Sequence, residues 1–132
     1  MTISLQLEPH ATYLTAVVGG AFALDEAQAV SVRFTQACAK HGLAKVLVDF
    51  RGLQGHITIT ERFLYSEFMA RLVIEQSVQQ SGRPVMLAYL GDESMLDPNR
   101  FGLLVARNRG VLAIATSSLN EATGWLDVQP GS

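Results

Sequence analysis

At 132 residues the chain has the size of one ordinary domain and is expected to bury roughly two-thirds of its unfolded surface around one hydrophobic core. Ten Lys and Arg against twelve Asp and Glu leave a net charge of -2, which argues against the basic face that a nucleic-acid binder carries. An apolar fraction of 48% and a mean hydropathy of +0.22 are rich for a soluble protein, so the chain has either a well-filled core or an apolar surface held by a partner.

The opening MTISLQLEPH has no basic region followed by an apolar stretch, and no window approaches the ~20 apolar residues of a membrane-spanning helix. Neither export nor membrane insertion is expected. The solitary Cys38 has no partner for an internal disulfide and sits at a core position of a helical pattern, where a thiol acts as a small hydrophobe. A cytoplasmic, reducing compartment is the simplest setting. Repeats and linkers are absent from the sequence, which is read as one domain over 1–127 with a loose tail over 128–132.

In chain order, Ile3, Leu5 and Leu7 alternate with polar neighbours, as do the residues of YLTAVV from Tyr13 to Val18. With Pro9 in the turn between them, these runs predict an antiparallel hairpin, ended where Gly19 and Gly20 interrupt the strand pattern. Ala27, Val30, Phe34, Ala37 and Cys38 then follow helical spacing, which predicts an amphipathic helix over Asp25 to His41. Asp25 caps it with Gln28 reaching back, and Gly42 stops it in the left-handed conformation. KVLVDF from Lys45 to Phe50, VMLAYL from Val85 to Leu90 and VLAIA from Val111 to Ala115 are short apolar runs. Gly82 and Pro84 announce the second run. Each run follows a helical pattern, so the three are expected to pair in parallel.

The first intervening helix spans about Glu61 to Gln80, with Phe63, Leu64, Phe68, Leu72 and Val73 on one stripe and Thr58 with Glu61 as its capping box, Thr60 being the alternative cap. Met69 and Ile74 make that stripe broader than one sheet face covers. A shorter helix follows Asp97 as cap and Pro98 as first residue, burying Phe101, Leu104 and Val105. The last starts at Ser118, with Glu121 as capping partner, and buries Leu119, Ala122, Trp125 and Leu126. The predicted class is α/β: an N-terminal β-hairpin, then alternating helices and strands in a mixed, mostly parallel five-stranded sheet with about four helices.

This order, with KVLVDFRGL (Lys45 to Leu53), TITERF (Thr58 to Phe63), DPNRFG (Asp97 to Gly102), ARNRG and the closing Trp125-Leu126, resembles the STAS superfamily of bacterial anti-sigma-factor antagonists over nearly the whole chain. The pattern also resembles a divergent branch related to CRAL-TRIO lipid carriers. The resemblance implies a regulatory domain whose partner is another protein, such as an anti-sigma-type regulator. Antagonists of that family carry a phosphorylatable serine in an Asp-Ser motif at the start of the helix after the central strand. Here that place reads HITITERF, and Thr58 or Thr60, neither following an aspartate, are the candidate phosphosites.

In a parallel sheet, ligands are expected beyond the carboxyl ends of the strands. That edge is predicted to collect Asp49, Arg51, His56, Thr58 and Thr60 from one connection and Asp92 and Glu93 from the next, with Arg100, Arg107 and Asn108 approaching from the side. Asp49 beside Arg51 reads first as a structural pair that shapes FRGLQG. His56 is the only histidine placed there, and without a second His or Cys at ligand spacing no metal is expected. Gly52 and Gly55 match neither dinucleotide nor Walker spacing, no serine sits in a Gly-x-Ser-x-Gly elbow, and no cofactor is expected. The helix start near Thr58 offers free N–H groups to an anion. Arg100 and Arg107 lie seven apart on one helical face, reading first as solvated surface. Some of Tyr65, Met69 and Ile74, at the margin of the broad stripe, are expected to meet a second copy in a homodimer or, as the alternative, a hydrophobic ligand.

Three functions are compatible with these residues, in order: a non-enzymatic regulatory module binding another protein around Thr58 to Phe68 and Asp97 to Gly110, a binder of a small apolar or anionic ligand such as a lipid, and an enzyme built from Asp49, His56 and Arg100. A chain this short is expected to have little room for a large cavity once its core is filled.

Overall fold

The computed structural model describes residues 3–79, 84–97 and 100–130. Strands β1 (Ile3–Pro9) and β2 (Leu14–Ala21) form the hairpin, and β3 (Lys45–Gln54), β4 (Met86–Leu90) and β5 (Leu112–Thr116) complete a five-stranded sheet in the order β1-β2-β3-β4-β5. β1 pairs antiparallel with β2, and β2 through β5 all run in one direction. Helices α1 (Leu24–His41), α2 (Ile59–Gln79) and α3 (Phe101–Asn108) supply Phe34, Met69 and Ala106 to the core on one sheet face, and α4 (Leu119–Leu126) packs on the other against Leu47, Ala88 and Leu90. A single 3-10 turn, Glu93–Met95, follows β4. The expected α/β architecture is thus present, with the three apolar runs as parallel strands, β3 and β4 inside the sheet and β5 at its edge.

Several local signals work as expected. Gly42 ends α1 at φ 66°, with its own N–H on Ala39 and that of Leu43 on Cys38, a left-handed stop that glycine adopts without a Cβ penalty. Thr58 and Glu61 make a complete capping box: the Glu61 carboxylate accepts the Thr58 N–H and hydroxyl at 3.0 Å each, and the Thr58 hydroxyl oxygen accepts the Glu61 N–H at 3.1 Å, satisfying helix-end donors. The cap is therefore Thr58 and not Thr60. Ser118 accepts the Glu121 N–H at 3.2 Å and opens α4. Cys38 is fully buried, and burial pushes its thiol up to about 12, so it remains protonated and inert at neutral pH.

Other expectations are corrected. Gly19 and Gly20 do not end β2, because β1 pairs with it as far as Gly20 and β3 as far as Ala21. β3 runs past Phe50 to Gln54. Asp25 does not cap α1: the helix starts one residue earlier, behind an extended Ala23, and this places Asp25 and Glu26 in the first turn, where the macrodipole favours carboxylates. Glu26 then accepts the Ile3 N–H at 3.0 Å and ties α1 to the sheet edge. Asp97 does not cap α3, which begins behind Arg100 at φ 51°. Leu119 is partly exposed, since the first turn of α4 lies where the strands end. Gln80, Gly82 and Pro98, and the side chains of Phe101, Leu104 and Val105, lie outside the described residues.

The broad stripe on α2 has an internal explanation. α2 packs against α1 and α3 as well as over the sheet, so three neighbours share its apolar surface. Met69 is 2% exposed and the Tyr65 hydroxyl is bonded within the core. Of the three residues expected to face a second copy, only Ile74, at 52% exposure, points outward.

Candidate functional site

β3, β4 and β5 share a direction, so the segments that leave them collect at one edge of the sheet. Side chains alternate across a strand, and Val48 and Phe50 belong to the α1-α2-α3 side of the sheet. Asp49 therefore faces the α4 side. The sheet separates Asp49 and Arg51 from Arg62 and Arg100, which line a cavity on the opposite side.

The Asp49-Arg51 pair has a structural cause. Val17 pairs with Asp49 and Gly19 with Gly52, so Phe50 and Arg51 together oppose Val18, which is a β-bulge. The Asp49 carboxylate accepts the Arg51 backbone N–H at 3.2 Å and both Nε and Nη2 of its guanidinium at 2.9 and 2.8 Å, holding the bulge closed. Burial pushes the Asp49 carboxyl up, but the bonds and charge of Arg51 outweigh it and hold the group below its ordinary 3.8. A carboxyl lowered on folding stabilises the native state above its unfolded pKa and loses that contribution as the pH falls through the folded value. Asp49→Asn is accordingly expected to remove less than about 1 kcal/mol at pH 7 and to flatten the stability profile below pH ~4. Urea unfolding at pH 7 and pH 3 checks this; an unchanged acid limb would contradict it.

His56, Thr58 and Thr60 are exposed around the start of α2. The Thr58 N–H and hydroxyl draw the Glu61 carboxyl below its usual range, the His56 charge adding to this. The Thr58 hydroxyl is committed to the cap. Thr60 stands in the first helical turn. Asp92 adds to the charge that holds the Arg51 guanidinium protonated, and the Ser117 hydroxyl donates to Glu93 at 2.6 Å. Arg107 and Asn108 are not at this edge. Arg107 donates through Nε to Ala113 near the amino end of β5, at 3.0 Å, because α3 runs away from the edge where Arg100 stands. Arg109, beside them, bonds Glu67 at 2.8 Å and lies over the Phe63 ring. Among the described residues no three His, Cys, Asp or Glu side chains converge as a metal ion requires, and no helix is long and apolar enough to cross a membrane.

Contrary to the expectation of a filled core, a cavity of about 170 Å³ lies between the sheet and α1, α2 and α3. Phe34, Val48, Phe50, Tyr65, Met69 and Tyr89 are among its walls. The Phe50 ring lies directly on Gly91, where a Cβ would meet ring atoms Cζ and Cε2 and displace the ring. Towards the carboxyl edge the lining becomes polar, with Arg62, Asp97 and Arg100. Arg62 Nη2 donates to the Met95 carbonyl at 3.0 Å and Arg100 Nη1 to that of Asp97.

A chain of hydroxyls crosses the cavity wall. Ser31 Oγ donates to the Ala27 carbonyl at 2.8 Å, Ser31 and Tyr65 hydroxyls are 2.8 Å apart, and Tyr65 and Tyr89 hydroxyls 2.9 Å apart. A carbonyl only accepts, so the protons run one way, from Tyr89 to Tyr65 to Ser31 to Ala27. Burial pushes both phenols above their ordinary range, and both stay protonated. The direction makes the two tyrosines unequal. Tyr65→Phe leaves the buried Tyr89 donor unpaired and is expected to cost about 1–3 kcal/mol, whereas Tyr89→Phe removes only the first donor and costs about 0.5–1.5 kcal/mol. Equal losses in denaturant unfolding would refute the assigned direction.

Pattern reading does not single out Arg62 or the Ser31-Tyr65-Tyr89 chain. Ser31 carries one signal, as a polar residue on the apolar face of α1 between Val30 and Phe34.

Neither a family model nor a curated protein matches the sequence. Among solved structures, an anti-sigma factor antagonist from Mycobacterium paratuberculosis superposes with a TM-score of 0.59 at 12% identity, covering 96% of this chain and 95% of that one. An uncharacterized protein of the DUF3478 family with a SpoIIAA-like fold, from Shewanella loihica PV-4, gives a TM-score of 0.48 at 16% identity, covering 94% and 93%. With strand order, strand direction and helix placement already described, the likeness to the mycobacterial antagonist over nearly the full length of both chains establishes that this chain adopts the fold of that anti-sigma factor antagonist.

Proposed function

We propose that the chain is a non-enzymatic bacterial regulatory module, working in the cytoplasm by binding another protein, and that it does so without the Asp-Ser phosphorylation motif of anti-sigma-factor antagonists. The observation that carries this reading is the start of α2, where Ile59 is 68% and Leu64 43% exposed around Thr60. Aliphatic side chains beside a helix start suit a protein partner, since their burial supplies affinity while the polar surroundings set specificity. The fold likeness supports the same direction. Separation of Asp49 from Arg100 by the sheet leaves the enzymatic trio of Asp49, His56 and Arg100 ungathered.

Regulation, in this reading, acts at Thr60. A phosphate there sits in the first turn of α2, where the helix dipole favours negative charge and the modified group changes the docking surface directly. The test is affinity capture from native extract with the wild-type chain, Ile59→Asp/Leu64→Asp and Thr60→Glu. The reading expects one protein retained by the wild type, lost from the double variant at unchanged melting temperature, and altered in yield by Thr60→Glu. Capture of nothing but further copies of the chain itself, or equal capture by the double variant, would overturn it.

A further inference from the structure

The geometry points to the cavity beneath β3 and β4 as a binding site for a small aromatic carboxylate, its hydrocarbon body enclosed by the apolar walls and its carboxylate held by Arg62 and Arg100. This inference is independent of the protein-partner reading, because it uses the interior of the α1-α2-α3 layer and not the exposed start of α2.

Four observations lead to it. First, the cavity of about 170 Å³ far exceeds the water-sized gaps of an ordinary core, and a cavity of about 150 Å³ with wholly apolar walls is large enough to admit benzene. The body that fits is therefore one ring or its aliphatic equivalent, not a long acyl chain. Second, the walls suit a ring: Phe50 and Tyr89 meet edge to face at 6.3 Å, as do Tyr65 and Tyr89, and such aromatic sides offer the contacts a further ring prefers. Third, the hydroxyl protons of Tyr89, Tyr65 and Ser31 are each used within the chain that ends on Ala27, so these three groups turn only lone pairs to a ligand, and lone pairs repel a carboxylate. A charged head is better placed away from them.

Fourth, the edge-side end of the cavity supplies what these hydroxyls lack. Arg62 and Arg100 line it, together with one carboxylate, Asp97, so the fixed charge there is net positive by one guanidinium. A single nitrogen of each guanidinium is anchored on the connection after β4, Arg62 on the Met95 carbonyl and Arg100 on the Asp97 carbonyl. A guanidinium has five donors in a rigid fork, and anchoring one of them aims the others without consuming them. Arg100 is further fixed by its left-handed backbone at φ 51°, a conformation an L-residue adopts only where its surroundings impose it. Apolar enclosure with a few convergent polar groups at one end is the general form of a small-molecule site.

The test is isothermal titration of the full chain with phenylacetate, toluene and acetate, repeated on two variants. Ala113 lines the cavity from β5, so Ala113→Leu fills it. Arg62→Gln/Arg100→Gln removes the charge and leaves the volume. The inference expects the wild type to bind phenylacetate at least tenfold more tightly than toluene, and acetate not at all. Ala113→Leu should bind neither aromatic and melt at a higher temperature. The arginine double variant should lose about tenfold in phenylacetate affinity, as loss of charge-assisted bonds demands, with toluene unchanged. Absence of binding by the wild type, toluene binding as tight as phenylacetate, or undiminished phenylacetate binding by the arginine variant would each overturn the inference. Should Ala113→Leu fail to fold, the arginine variant decides alone. Failure of the inference would leave the capture experiment on Ile59 and Leu64 untouched, and failure of that experiment would leave this one untouched.

Discussion

Phe34→Ala is expected to lower the free energy of unfolding by about 3–5 kcal/mol, at the upper end of that range, and the melting temperature by roughly 10–20 °C. Phe34 is among the largest fully buried side chains and stands at the middle of α1, facing the sheet. Truncation removes its apolar contacts, and the additional cost depends on whether the surroundings collapse into the space. Here they cannot readily do so. Phe34 already borders the cavity of about 170 Å³, so the deleted volume joins an existing void instead of being closed by neighbours that sit against one another. Denaturant unfolding of wild type and variant measures the loss. A loss below about 1.5 kcal/mol, the level of an Ile→Val change, would mean that the layer collapses on truncation and that the cavity walls are soft.

Leu126→Ala is the corresponding experiment on the opposite face, with an expected loss of about 2–5 kcal/mol. Leu126 is fully buried with Ala122 against Leu47, Ala88 and Leu90, and α4 is the helix that covers this side of β3, β4 and β5. α4 has eight residues, too short to persist without tertiary packing. Truncating its principal anchor therefore loosens the helix as well as deleting contacts. The single tryptophan, Trp125, packs into the same cluster and reports on it: a red shift of its fluorescence is expected before global unfolding. If the emission stays unchanged until the main transition, α4 is held by something other than Leu126. Phe34 and Leu126 share no cluster, so the two losses should add within roughly 0.5 kcal/mol.

These expectations rest on features with different standing in the sequence. The cap of α2 is readable because Thr58 and Glu61 lie three residues apart and interact with each other and with the backbone between them; no other part of the chain takes part. The Gly42 stop and the Ser118-Glu121 cap are local for the same reason. The length of β3 is not readable. Residues 51–54 look like a connection because Gly52 breaks the apolar run, and they become strand only because β2 offers pairing as far as Ala21. Asp49 with Arg51 is legible as a structural pair, yet the feature it closes, a bulge opposite Val18, depends on the register between two strands.

The sequence by itself determined the layered α/β arrangement and the common direction of the central strands, since apolar runs of strand length separated by helical periodicity leave few other ways to bury those faces. Tertiary structure alone decided which side of the sheet each edge residue occupies, that Met69 and Tyr65 turn inward, and that a void bordered by Tyr65, Tyr89 and Arg62 remains open. The reason is physical: capping and periodicity are interactions among near neighbours in the chain, whereas a bulge, a proton-ordered chain of hydroxyls from three elements and an unfilled volume exist only once distant segments have been set against one another.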